Sequence, residues 1–71
     1  MLNNAKITAI IESIALFAPI DAIAAKYQAA CELSRLKQEL ILQGMGDKFD
    51  KAQQLILTRL QGEYGVKINL D

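Results

Sequence analysis

Cys31 is the one side chain in the sequence with thiol chemistry in it. A thiol becomes a nucleophile when a base or a nearby cation holds it as thiolate. On a helix its neighbours are Tyr27, Ala30 and Ser34, and the chain contains no histidine. Neither a serine nor a cysteine triad of the usual kind can be assembled from such a set. The expectation is therefore a buried, inert thiol. A disulfide between two copies is the only bridge a lone cysteine can form, and a cytosolic redox poise works against it.

The carboxylates fare no better as catalysts. Glu32 and Glu39 share a helix face two turns apart, with Arg35 between them. That spacing makes a surface ion pair worth a few tenths of a kcal/mol, not an acid–base pair. A di-metal carboxylate centre needs Glu-x-x-His pairs on two helices, and the absence of histidine rules those out. One thiolate without imidazole makes no closed zinc site. The segment "QGMGDKFD" contains G-x-G but lacks the preceding strand and third glycine of a dinucleotide loop. "DKFDKAQQLIL" begins like a calcium loop, yet the ligand spacing and the closing glutamate are missing. No catalytic, cofactor-binding or metal-ligating residue is nominated.

Nucleic acid is disfavoured as a partner by charge. Eight basic and eight acidic residues cancel, which leaves no electrostatic footprint for phosphate. Lys48, Lys51, Gln53, Gln54 and Arg59 on the third helix are the residues that a helix-turn-helix reading would use. That reading, a small DNA-binding regulator, is the alternative to the one reached below.

The elements that position these residues read as all-α. A first helix over about 4–17 is capped by Asn3 or Asn4 and carries Ile7, Ile10, Ile11, Ile14 and Phe17 as one stripe. Its polar side is thin: Lys6, Thr8, Glu12 and Ser13. Pro19 at the first position of a second helix, about 19–43, makes a corner at Ala18 and puts Asp21 in the first turn. A single kinked helix through Pro19 is the other topology. Ile23, Tyr27, Ala30, Leu33, Leu36 and Leu40 approximate a coiled-coil seam. Ala18, Ala22, Ala25 and Ala29 form a second stripe, put down here to alanine's helix propensity. Gly44 stops the helix, Asp47 caps a third one over about 48–61 in a capping box with Asp50, and Gly62 ends it.

A tail over 64–71 follows, ending "GVKINLD", in which Val66, Ile68 and Leu70 alternate with Lys67, Asn69 and Asp71. That is strand periodicity with no second strand to pair with. The plainer reading is a frayed end. The sharper one is strand addition to a neighbouring subunit or partner sheet, with Gly65 as hinge.

Size sets the remaining constraint. A chain of 71 residues buries only about 60% of its unfolded surface. Small domains of this kind draw on disulfides, a metal or a partner subunit, and the first two are ruled out by residue type. Meanwhile 52% of the chain is apolar, and only five charges fall in the first 34 residues. Residues 7–25 approach the length of a membrane span, but Glu12, Asp21 and Pro19 interrupt them, so a membrane is not the expected partner. "MLNNAKITAII" has one cation and no obvious small-residue cleavage site after its apolar run, so a cytoplasmic setting, or one within a virion or other cytoplasmic assembly, is expected.

The reading is a single three-helix all-α domain with a long central helix and a short extended C-terminal tail. It is expected to be a non-catalytic assembly or adaptor protein. Its partner is a further copy of itself or a larger protein, which it could also inhibit. The surface nominated is Ile7, Ile10, Ile11, Ile14, Phe17, Ile23, Tyr27 and Ala30, with Val66, Ile68 and Leu70 of the tail.

Overall fold

A computed structural model describes residues 3–69. Among them the chain forms α1 (Asn4–Ala15), α2 (Ala22–Leu42), a 3₁₀ turn (Gly46–Lys48) and α3 (Phe49–Tyr64), with no strand. The domain is all-α, as its periodicity required.

The ends of the helices follow their hydrogen bonds. Asn3 is the cap of α1, its Oδ1 accepting from the Lys6 amide at 2.8 Å. The helix ends two residues earlier than its apolar stripe suggested. Phe17 N–H reaches the Ile14 carbonyl at 3.1 Å, and Ile20 and Asp21 N–H both reach that of Phe17. Pro19 lies inside this turn rather than at the start of α2. The helix start is fixed by Asp21 instead. Its backbone is extended, and its Oδ1 accepts from the amides of Ile23 and Ala24 at 2.9 and 3.3 Å. A side chain that satisfies two free amides outweighs the preference of proline for the first helical position. The corner expected near Ala18 is therefore present, and α2 begins three residues beyond Pro19.

Gly44 ends α2 as anticipated, with φ +72°. Its N–H donates to the Ile41 carbonyl at 3.0 Å and Met45 N–H to that of Leu40 at 2.7 Å, the two bonds of a Schellman motif. Asp47 is not the cap of α3. It lies in the 3₁₀ turn that runs directly into the helix, and no side chain caps α3. Gly62 is not the stop either. One exposed glycine costs a helix only about 1 kcal/mol, and the next turn gains the Arg59–Glu63 ion pair at 2.8 Å. The chain leaves the helix at Gly65, with φ +68°.

The core is built around α1, which packs on both other helices. Ile7, Ile10, Ile11 and Ile14 meet Ala29, Leu33, Leu36 and Leu40 of α2 and Ala52, Ile56 and Leu60 of α3. The seam inferred for α2 thus mixes two faces. Leu33, Leu36 and Leu40 point inward with Ala25 and Ala29, while Ile23, Tyr27 and Ala30 point outward. The inward pair Ala25 and Ala29 is a packing feature and not just a mark of helix propensity, because both are essentially inaccessible. Three polar residues of α1 tie the bundle together. Lys6 pairs with Glu39, Ser13 Oγ accepts from Gln28 Nε2 at 2.8 Å, and Thr8 Oγ1 accepts from Arg59 at 3.4 Å. The radius of gyration is 11.6 Å, close to the roughly 11 Å of a compact chain of this length.

The described residues of the tail form no strand. Val66 N–H donates to the Leu60 carbonyl at 3.1 Å. Val66 and Ile68 are half-buried against the core, so the apolar side expected to meet another chain is turned toward this chain's own helices. Leu70, also nominated, lies outside the described residues.

Candidate interaction surface

With the core assigned, the nominated residues divide into two groups. Ile7, Ile10, Ile11 and Ile14 are buried inside the domain and pack against α2 and α3. Phe17, Ile23, Tyr27 and Ala30 stay on the surface. Near them in the chain are two further large apolar residues. Leu16 and Ile20, in the turn around Pro19, are 71% and 82% exposed. Leu16, Phe17 and Ile20 are thus exposed apolar residues in the corner between α1 and α2, and Ile23 and Tyr27 are exposed on the first turns of α2. Local structure explains it. The turn that accommodates Pro19 and the Asp21 cap carries residues 16–20 off the α1 stripe and away from the core.

The corner continues along the outer face of α2. Ile23, Tyr27, Ala30, Ser34, Lys37 and Ile41 follow one another at alternating steps of four and three, the spacing of a coiled-coil seam. Every one of them is exposed. This seam was legible in the sequence, but the inward leucines obscured it because they share the same helix and the same repeat. Cys31 flanks it and is exposed, contrary to the expectation of a buried thiol; the core face of α2 is filled by the alanines and leucines on the other side.

Accessible surface is 4850 Å², against about 4,400 Å² for an average folded monomer of this mass. Among the described residues, nine large hydrophobic residues remain exposed.

Elsewhere the surface holds little chemistry. A shallow cleft of about 440 Å³ lies between the corner and the tail, walled by Ala15, Ala18, Ala22 and Ala25 opposite Tyr64 to Ile68. Alanines leave it open, and it gathers no acid–base pair. Among the described residues no group of three or more His, Cys, Asp or Glu side chains converges. None of the helices described is long and apolar enough to cross a membrane. On α3, Arg59 is engaged by Glu63, whose carboxylate holds the guanidinium pKa above its ordinary value and is itself held below the usual carboxylate value. Lys6 does the same to Glu39, mainly through its hydrogen bond.

Family models, curated proteins and solved structures give no match to this chain.

Proposed function

We propose that this chain is a non-catalytic assembly or adaptor protein that associates with further copies of itself through the apolar corner and the outer face of α2. The observation that carries the reading is the exposed set Leu16, Phe17, Ile20, Ile23 and Tyr27 on a domain whose core is already closed. Contiguous exposed apolar surface rimmed by polar residues marks interaction sites. The role extends to docking on a larger protein through the same surface, as an adaptor or inhibitor.

Magnitudes set the strength. Covering a handful of large side chains at about 25 cal/mol per Å² yields several kcal/mol per copy. Loss of translational and rotational freedom offsets much of that, which leaves an affinity on the order of micromolar. Light scattering over a concentration series tests this. The expected result is a mass rising above 7.8 kDa at tens of micromolar, abolished by Ile20→Glu with Ile23→Glu while helicity is retained. A mass that stays monomeric at millimolar concentration overturns the self-association reading.

A further inference from the structure

The tail sits on the helices as an extended segment in a seat. Val66 and Ile68 pack against the core, while Lys67 and Asn69 are exposed. Every second residue is thus an anchor, which is the use an extended chain makes of its alternation. The Val66 N–H bond to the Leu60 carbonyl, at 3.1 Å, fixes the first anchor. Beside the tail runs the cleft of about 440 Å³ whose far wall is Ala15, Ala18, Ala22 and Ala25. That open side lets the segment leave or enter without moving a helix.

One backbone angle sends the tail to its seat. Gly65, at φ +68°, turns the chain back from the end of α3. With a negative φ at this residue the tail departs in another direction and the seat empties. The seat then fits an aliphatic residue, a spacer and a second aliphatic residue, and every further copy of the chain carries that segment. We propose that the tail is an exchangeable arm: two chains open at Gly65 and each seats its Val66 and Ile68 on the other. The occupant is known because the same segment occupies the seat within one chain. The exchanged pair keeps the contacts of the closed chain and differs in the hinge and in the entropy of association. Ile68 lies at most about 10 Å beyond Gly65, so exchange sets the two α3 ends side by side. This route to a dimer does not use the apolar corner.

Glycine adopts a positive φ freely, so the closed single chain prevails in the natural sequence. A β-branched residue does not. Space for a side chain at Gly65 is open, so Gly65→Val acts through the backbone angle and not through a clash. It disfavours each closed hinge about tenfold. A dimer has two hinges, so its association constant rises about a hundredfold.

The test is made in chains carrying Ile20→Glu and Ile23→Glu, which take the apolar corner out of play. Light scattering at tens of micromolar is expected to give one chain for this parent and two for the parent with Gly65→Val. Adding Val66→Asp and Ile68→Asp, which spoil the anchors and spare the seat, is expected to restore the mass of one chain. A Gly65→Val chain that keeps its helices by circular dichroism and stays single overturns the exchange. A dimer that survives loss of the anchors overturns it too. A second arm does not depend on the hinge variant. A fluorescently labelled peptide, GVKINLD, is titrated into the Val66→Asp, Ile68→Asp chain and into the parent. The expected result is binding at least tenfold tighter to the former, whose seat its own tail has left. Equal binding, or none, overturns the exchange. Neither arm bears on association through the corner, which the mass of the unsubstituted chain reports.

Discussion

Ile14 and Ile23 are both isoleucines on amphipathic helices, yet the structure gives them opposite roles. Ile14 is fully buried among all three helices, whereas Ile23 is two-thirds exposed. Ile14→Ala is expected to lower stability by about 2–4 kcal/mol through a cavity. Ile23→Ala should change it by about 0.5 kcal/mol or less while weakening association; urea unfolding and light scattering on the same two variants separate the effects. Asp21→Ala removes the cap of α2, at a cost of about 1 kcal/mol. The ion pairs add a pH dependence with a definite sign. Glu39 and Glu63 are held below their ordinary value of 4.5 by Lys6 and Arg59. Such groups favour the fold at neutral pH, and that contribution disappears as pH falls below about 4.5 through their lowered values. Thermal melts from pH 7 to pH 3 should show the midpoint dropping in that window, and Glu39→Gln should flatten part of the drop. A midpoint that rises on acidification would contradict the sign.

At the scale of elements, two glycines three residues apart in the chain carry opposite expectations. Gly62 is helical and exposed, with open space where a Cβ would go, so Gly62→Ala should stabilise α3 by about 0.5–1 kcal/mol. Gly65 sits at φ +68°, and Gly65→Ala should cost about 1–2 kcal/mol; chemical denaturation of the pair is a direct comparison. The same contrast shows what was legible in the sequence. Three helices, an asparagine cap at Asn3 or Asn4 and the Gly44 stop followed from residue type and spacing, because local hydrogen bonding decides them; the Lys6 amide bond selects Asn3. The end of α3 did not, since a glycine marks a helix end only where the backbone needs a positive φ, and one-dimensional pattern does not show which of two glycines has it. The start of α2 was misplaced because Pro19 and Asp21 are both start signals, and hydrogen-bond geometry ranks them. Of the candidate surface, Phe17, Ile23, Tyr27 and Ala30 were readable. Ile20 was not, because it lies in a turn without period.

For the molecule as a whole, much of the apolar content counted in the composition lies inside the domain. A helix with four inward isoleucines looked as though it needed another molecule; α3 and the returning tail supply most of that cover. Removing residues beyond Gly65 should therefore destabilise the domain, by withdrawing Val66 and Ile68, and leave its association unchanged; denaturation and scattering of the truncated chain read both. The placement of α1 between its two neighbours has a consequence for how the chain is made. Of the three helices described, the one synthesised earliest packs against the one synthesised latest. At about 5–20 residues per second, the isoleucines of α1 wait on the order of seconds before α3 exists to shelter them. A nascent chain halted before Phe49 would carry that face uncovered, as a target for chaperones or for a neighbouring nascent chain on the same messenger.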